Sequence, residues 1–187
     1  MKNRDATISF LLRQSVPTIT WNQSFIFSHG LHVERIALQL GEKLGLSTQD
    51  LAILSWGCIF HDIGKFALPQ TFFKQTILSF NDYKEIKRHP GLGYIALREI
   101  DFNSEALEIV LYHHERFDGL GYPFGLKGEE IPLNTRICSL ADSFEVMIWG
   151  RNYQKNKTYQ EALDDIVANS GTQFDPELVV QFINLFG

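Results

Sequence analysis

Hydrophobic positions recur at helical spacing along most of this chain. The first long run covers residues 25–44 and ends at Gly45, a residue type that commonly terminates helices. His32 lies within this run, so we expect its ring to point inward. The apolar residues expected to form the buried face are Leu31, Ile36, Leu38 and Leu40.

Polar residues mark where several later helices should begin. Ser47 and Ser79 are each followed three residues later by an aspartate, which is typical of a side-chain-capped helix start. Pro90 disfavours helical dihedral angles at His89, so we expect a helix to break there. The other predicted helices span residues 5–14, 104–113, 134–149, 158–169 and 176–185.

Residues 115–133 interrupt the helical pattern with four of the fourteen glycines and two prolines. A long loop of this kind inside a compact domain is usually functional. No segment alternates with the period of a strand, and we find no internal repeat. The pattern predicts an all-α protein, with an N-terminal helix and linker (residues 1–24) leading into a single bundle (residues 25–187).

Composition narrows the class of protein. The 187 residues suffice for one domain with a sizeable core, and the 44% hydrophobic content excludes a disordered chain. The net charge of −5 argues against a nucleic-acid polymer as partner, although a small phosphorylated ligand fits a local basic pocket. Cys58 and Cys138 have no metal or redox spacing, so we expect buried thiols in a cytoplasmic protein. No apolar run reaches membrane-spanning length.

The segment HDIGK, residues 61–65, carries the first candidate chemistry. The imidazole of His61 can bind a metal ion, and the neighbouring carboxylate of Asp62 can bridge two cations. This combination suits a two-metal hydrolytic site. Lys65 adds a positive charge that could meet a phosphate oxygen.

Further histidines and one more aspartate extend this set. Asp142 has apolar neighbours, and buried carboxylates are rare unless they are paired or bind a cation. Each residue alone has an ordinary explanation, such as a hydrogen-bonded core histidine or a pair between Asp142 and Arg136. The set as a whole is harder to explain without metal ions. The histidines are His29, His32, His61, His89, His113 and His114.

Taken together, these motifs resemble the HD-GYP group of the HD-superfamily metal phosphohydrolases. The resemblance covers nearly the whole chain, from about residue 32 to residue 182. Its strings are HVERIA (32–37), HDIGK (61–65), HPGLG (89–93), HHERFDGLGYP (113–123), GEEIPLNTRI (128–137), Ala141–Asp142 and GTQFDP (171–176).

The resemblance implies that residues 25–187 form an HD-type helical bundle with a dinuclear metal site at its centre. It also implies hydrolysis of cyclic di-GMP to linear pGpG, with GMP as the product of a second cleavage. Two cations roughly 3.5–4 Å apart would activate a bridging hydroxide for this attack. By position, one metal is expected on His32, His61, Asp62 and Asp142, and the other on Asp62, His89, His113 and His114.

Iron or manganese is the expected metal, and zinc and nickel also fit. Ser28 stands where members with a third metal have a glutamate, so we expect two metals and a solvated His29. Asp62 and Lys65 are the expected catalytic residues. The expected substrate contacts are Lys65, Arg116, Asp118, Gly121, Tyr122, Pro123 and Arg151.

The chain departs from the family pattern over residues 145–154, where Glu145 replaces an aspartate and Gln154 a basic residue. This weakens the expected substrate binding and leaves two alternatives. One is a metal-containing cyclic-dinucleotide sensor or protein-docking module with little turnover, and the other is a hydrolase of another cyclic nucleotide. Two interactions are also open. One is a contact between the GYP loop and a diguanylate cyclase (GGDEF) domain, and the other is the formation of a homodimer.

Overall fold

The computed structural model describes residues 21–69, 71–72, 79–150 and 156–187. Within these ranges the protein is helical and has no strand; an isolated bridge joins Ser170 to Phe174. The all-α prediction is confirmed. The helix predicted over residues 5–14 and the expected substrate contact Arg151 lie outside the described residues.

The helices are joined mostly by short connections, and none in the described ranges is long and apolar enough to cross a bilayer. Short 3₁₀ helices lie at Ile63–Ala67 and Gly128–Glu130. The α-helices are α1 (Trp21–Lys43), α2 (Thr48–Phe60), α3 (Phe80–Ile86), α4 (His89–Arg98), α5 (Ser104–Tyr112), α6 (Leu133–Trp149), α7 (Tyr159–Ala168) and α8 (Pro176–Phe186).

Local sequence explains several helix boundaries. Ser79 and Thr158 each form a reciprocal capping box with the acidic residue three positions later. These boxes satisfy backbone N–H groups that a helix start leaves unpaired. The predicted break lies just before His89 rather than at it, since α3 ends at Ile86 and His89 is the first residue of α4, with Pro90 in its first turn.

Of the four residues predicted to form the buried face of α1, only Leu40 is fully buried. Leu31 is 48% exposed, and Ile36 and Leu38 are only partly buried. The core instead receives a stripe whose members are separated by whole helical turns, so the inward direction is rotated from the predicted one. This stripe consists of Ile26, Val33, Ala37 and Leu40.

Close backbone packing joins the segment after α2 to α4. A Cβ on Gly64 would overlap the carbonyl oxygen of His89 and crowd the backbone nitrogen of Gly93. Only glycine allows this approach. The 3₁₀ helix therefore lies directly against the start of α4, which holds Asp62 near His89.

Candidate metal centre

Helix ends bring most of the candidate site together. His61 and Asp62 follow the last turn of α2, His113 and His114 follow the last turn of α5, and His89 opens α4. The remaining donors come from the inward faces of α1 and α6. The five sequence-distant segments of the prediction thus meet in one place, with a change in the α1 donor described below.

One group of potential metal ligands consists of Asp62, His89, His113 and His114, whose donor atoms lie within 4.8 Å of one another. Nε2 of His89 lies 3.2 Å from Oδ1 of Asp62 and 3.1 Å from Nε2 of His113. Nε2 of His113 lies 3.7 Å from the same Asp62 oxygen.

A second group consists of His29, His61 and Asp142, also within 4.8 Å of one another and buried. Nε2 of His29 lies 3.0 Å from Oδ1 of Asp142 and 3.8 Å from Oδ2 of Asp62. Nε2 of His61 lies 3.5 Å from that same Oδ2. One oxygen of Asp62 therefore faces each group, which is the geometry of a bridging carboxylate.

Backbone carbonyl groups set the tautomers of three imidazoles. Nδ1 of His61, His89 and His113 lies 2.7, 2.7 and 2.9 Å from the carbonyl oxygen three residues earlier. Since a carbonyl can only accept, each Nδ1 carries the proton and each Nε2 presents a lone pair. A carbonyl partner of this kind commonly orients metal-binding histidines.

The facing lone pairs of His89 and His113 provide a test of whether a cation fits. Two acceptor nitrogens 3.1 Å apart repel each other unless a cation or proton lies between them. In addition, Nε2 of His61 is buried and hydrogen-bonds to no described residue. Buried nitrogen acceptors beside a shared carboxylate fit divalent metal ions, and these residues could hold them.

Burial favours the metal-binding, neutral form of the imidazoles in the group around His89. Loss of solvent lowers the pKa of His89, lowers that of His113 to about 4, and lowers that of His114 well below its usual value. Ligation requires a neutral imidazole, so this group is prepared for a metal at neutral pH.

In the group around His29, the surroundings raise the pKa of the imidazoles instead of lowering it. Burial opposes its protonation, but hydrogen bonds to Asp142 and Glu145 outweigh burial and raise the pKa of His29 to about 9. Burial also opposes protonation of His61, yet the charge of Asp62 raises its pKa above the usual value. A metal entering this group at neutral pH must displace the proton of His29.

Lys65 lies inside the centre. Its ammonium forms a buried ion pair with Oδ2 of Asp62. Burial alone would raise the pKa of Asp62, but the charges of Lys65 and His61 outweigh burial and lower it well below its usual value. Lys65 thus keeps the carboxylate ionised, whereas the sequence interpretation expected this lysine to meet a phosphate oxygen.

The structure leaves His32, a predicted ligand, outside both groups. Its side chain is 45% exposed, its Nδ1 lies 3.1 Å from Oε1 of Glu145, and its ring stacks on Trp149. His29, one helical turn earlier, is only 6% exposed and lies in the ligand group. The expectation that His29 is solvated is wrong, because His29 lies on the same side of α1 as the buried stripe and His32 does not.

Glu145 is a buried residue that sequence reasoning did not assign to the site. Its carboxylate accepts a hydrogen bond of 2.7 Å from Nδ1 of His29. This contact directs the other ring nitrogen, Nε2, toward Asp142, as second-layer carboxylates commonly do at metal sites. Its position one turn after Asp142 on the apolar helix α6 was the available signal.

Glu115 was also missed and anchors the loop of residues 115–127. Its buried carboxylate accepts hydrogen bonds from the backbone N–H groups of Phe124, Gly125 and Leu126 at 2.7 to 3.2 Å. One side chain therefore fixes the far part of the loop to the segment that carries the histidine pair. Its adjacency to that pair was the only sequence signal.

The GYP part of the loop packs against the metal centre. The ring of Tyr122 stacks on that of His114 at 4.7 Å, and Pro123 follows through a cis peptide bond. A Cβ on Gly121 would overlap the backbone of the residues after His114, so glycine is required there. Arg116 and Asp118, both expected as substrate contacts, form an ion pair with each other at 2.6 Å.

An open cleft of about 610 Å³ borders this loop and exposes part of the centre. His113, His114 and Asp142 line its floor. Its walls include Tyr83, Lys87, Arg116, Leu120 and Tyr122.

The structure also decides two points that the sequence raised, a possible Arg136–Asp142 pair and the state of the two cysteines. Arg136 pairs with Asp175, whereas Asp142 contacts His29, so the alternative of a structural Arg136–Asp142 pair is not the arrangement present. Cys58 and Cys138 are buried thiols as expected, and they form a hydrogen bond with each other in the core.

Comparison with known proteins identifies the family of this chain. The HD domain family matches residues 11–178. The cyclic di-GMP phosphodiesterase response regulator RpfG of Xanthomonas campestris is 38% identical over 150 residues, covering 79% of this chain and 40% of that protein.

Two solved structures have the same fold. Bd1817, an HDG"Y"P protein from Bdellovibrio bacteriovorus, superimposes with a TM-score of 0.71 at 21% identity, over 87% of this chain and 52% of that one. The cyclic GMP-AMP specific phosphodiesterase V-cGAP3 of Vibrio cholerae gives 0.67 at 27% identity, over 84% and 43%.

This chain spans about half or less of the length of each of these proteins. The family match nevertheless covers most of the chain and includes every motif singled out above. The chain therefore belongs to the HD domain family, within which it groups with the HD-GYP proteins.

Proposed function

We propose that this chain is a metal-dependent phosphodiesterase that hydrolyses cyclic di-GMP to linear pGpG, with GMP formed by a second cleavage. The observation that carries the proposal is Asp62, whose two oxygens face two separate groups of largely buried donors. We assign one metal to His29, His61, Asp62 and Asp142, and the other to Asp62, His89, His113 and His114. Mixed imidazole and carboxylate ligands favour iron or manganese over magnesium or calcium.

Two such cations, when bound, supply an activated water and offset charge on the phosphoryl oxygens. The protein's part is to orient the donors: the backbone holds Nδ1 of His61, His89 and His113, and Lys65 keeps Asp62 ionised. Hydrolysis consumes one water: an oxygen–phosphorus bond forms, the bond to the ribose 3′ oxygen breaks, and that oxygen takes up a proton.

The substrate would lie in the open cleft beside these donors. Tyr122 offers a ring above His114, and Gly121 and Pro123 hold that ring in place. Arg116 and Asp118 would shape the loop through their ion pair rather than by a free charge. We keep Arg151 as a proposed substrate contact on the family resemblance alone.

The names of the relatives support the substrate class. RpfG is named for cyclic di-GMP and is the more similar in sequence, which favours this dinucleotide here. V-cGAP3 is named for cyclic GMP-AMP, and its likeness makes that dinucleotide the second candidate. Both are cyclic dinucleotides with two phosphodiester bonds.

Product analysis tests the proposal. The purified chain, loaded anaerobically with Fe(II) or Mn(II), is incubated with cyclic di-GMP or cyclic GMP-AMP, and the products are separated by chromatography. We expect pGpG from cyclic di-GMP. Metal-loaded protein that binds cyclic di-GMP saturably but does not cleave it would favour the sensor alternative, and cleavage of cyclic GMP-AMP alone would favour the second candidate.

Asp62→Ala provides a sharper form of this test. Since Asp62 contacts both groups of donors, its loss should remove most of the bound metal and abolish turnover together. Metal analysis and the product assay on the same preparation check this outcome. Full activity in Asp62→Ala would contradict the bridging role.

The setting of the enzyme is part of the proposal. We place it in the cytoplasm, where it would contact a diguanylate cyclase (GGDEF) domain through the GYP loop. Leu120 and Phe124 on this loop are 79% and 66% exposed and are available for such a contact. Co-purification with a GGDEF domain, compared between the native chain and Leu120→Glu, tests the contact, and light scattering tests the homodimer.

A further inference from the structure

The cleft contains one side-chain cation, Lys87, that forms no ion pair with a carboxylate in the described ranges. The charge of Arg116 is offset by Asp118, and that of Lys65 by Asp62. Lys87 directly follows α3, where it caps the helix, and is partly buried in the cleft wall. Its charge is therefore available to an anion entering the cleft.

Two tyrosine rings hold the Lys87 ammonium in place. Its Nζ lies 4.8 Å from the ring centroid of Tyr83 and 4.8 Å from that of Tyr122. Both contacts are within the range of attractive cation–π interactions. They restrict the otherwise flexible lysine chain, so less conformational entropy is lost when an anion binds.

The position of the ammonium relative to the metal centre is fixed by the same rings. Tyr122 stacks on His114 at 4.7 Å, and His114 belongs to the donor group around Asp62. Lys87 thus lies one aromatic layer away from the donors. An anion on Lys87 would be close to the centre without lying on it.

We propose that Lys87 binds the phosphate of the cyclic dinucleotide that is not being cleaved, with Tyr83 and Tyr122 as its positioning residues. The inference rests on the proposed function. A cyclic dinucleotide carries two phosphodiester groups, and when one lies at the donor groups the other must lie elsewhere in the cleft. A pre-positioned, unpaired ammonium in the wall suits that second negative charge.

Two probes with one and two phosphodiester groups separate this role from catalysis. Bis(p-nitrophenyl) phosphate has a single group, whereas the slowly hydrolysed bisphosphorothioate of cyclic di-GMP has both. In Mn(II)-loaded Lys87→Met we expect calorimetric binding of the bisphosphorothioate to weaken roughly 10- to 100-fold. The KM for cyclic di-GMP should rise correspondingly, and turnover of bis(p-nitrophenyl) phosphate should stay within about twofold.

Lys84→Met is the matched control. Lys84 lies on α3, is exposed, and does not line the cleft, so its loss removes the same charge without the contact. Lys87→Arg should restore most of the binding. Because the contact joins two charges, raising the salt concentration should weaken dinucleotide binding less steeply in Lys87→Met than in Lys84→Met.

Each outcome decides the inference. Dinucleotide binding within about twofold of the native value in Lys87→Met overturns it. Equal losses on both probes, with a lowered melting temperature, would indicate that Lys87 only fastens α3 to the loop and also overturn it. If the native chain binds the bisphosphorothioate but cleaves no dinucleotide, the proposed function fails. The ratio of the affinities of the native chain and Lys87→Met for this probe still tests the role of Lys87. If it binds no cyclic dinucleotide, both fail.

Discussion

His29 and His32 illustrate how one helical turn separates a buried donor from a surface side chain. Both rings approach the carboxylate of Glu145, but only Nε2 of His29 continues to Asp142. The exposed ring of His32 rests on Trp149. Substitution of each histidine should therefore have different consequences.

His29→Ala should lower the metal content of the protein, because it removes a donor from one of the two groups. The loss of one ligand should lower the affinity of that group for its metal by roughly 10-fold or more. His32→Ala should retain the metal content of the native chain. Metal analysis after dialysis against a weak chelator checks both variants. Metal loss in His32→Ala alone would show that His32 is the ligand, as the family resemblance implied.

Metal binding should release protons from the His29 side of the centre. In the metal-free protein the pKa of His29 is raised to about 9, so its ring is protonated at pH 7 and must lose that proton to ligate. Affinity for this metal should rise as the pH increases toward 9. The ring of His113, with a pKa of about 4, is already neutral and should release none.

Calorimetric titration with Mn(II) in buffers of different ionisation enthalpy measures this release at pH 7. His29→Ala should release about one proton fewer than the native chain. Identical proton release in the two proteins would show that His29 does not ligate.

At the same scale, burial of Asp62 and Asp142 was predictable because each stands among apolar neighbours, and both are buried. Which of His29 and His32 is buried could not be predicted from the sequence. Helix α1 carries apolar residues on more than one side, and Leu31 suggested an inward direction that the core does not use. Only contact with α2 and α6 decides which side is buried.

Among the structural elements, the contact between the 3₁₀ helix and α4 depends on Gly64. Gly64→Ala should separate these segments, since the added methyl group overlaps the backbone at His89. We expect a loss of about 1–3 kcal/mol of unfolding free energy, measured by urea denaturation.

Gly91→Ala is the matched control within α4. A Cβ there meets no atom within 4 Å, so the substitution should be neutral or stabilise the helix by about 0.5–1 kcal/mol. Comparable destabilisation by both variants would show that the close approach at Gly64 is unimportant.

The loop of residues 115–127 depends on Glu115 in a similar way. Glu115→Ala should release the backbone groups at residues 124–126 and raise the KM for cyclic dinucleotide while metal content is retained. Glu115→Gln keeps one accepting oxygen and should be milder. Parallel metal analysis and kinetics check this, and loss of metal in Glu115→Ala would instead place the residue in the centre.

Helix starts and the break at Pro90 could be predicted because their causes lie within a few residues. The loop could be located for the same reason, from its glycines and prolines. Its anchoring could not, since the N–H groups that Glu115 binds lie nine to eleven residues later. Such pairing depends on the path of the loop.

At the scale of the whole molecule, helical periodicity predicted the all-α fold. The family resemblance predicted most of the residues that form the two groups of potential metal ligands. The arrangement of those ligands around a shared Asp62 follows from packing between helices distant in sequence. The same packing explains why Lys65 pairs with Asp62 and leaves Lys87 as the available cation of the cleft.

The carbonyl groups that hold His61, His89 and His113 belong to the final turns of α2, α3 and α5. Two ions that bind these rings and share Asp62 would cross-link the ends of three helices. Removal of the metal would then do more than stop the proposed reaction, because the ends of these helices would lose that cross-link and open more readily. Metal supply would in this way govern the resistance of the folded chain to unfolding as well as the proposed activity.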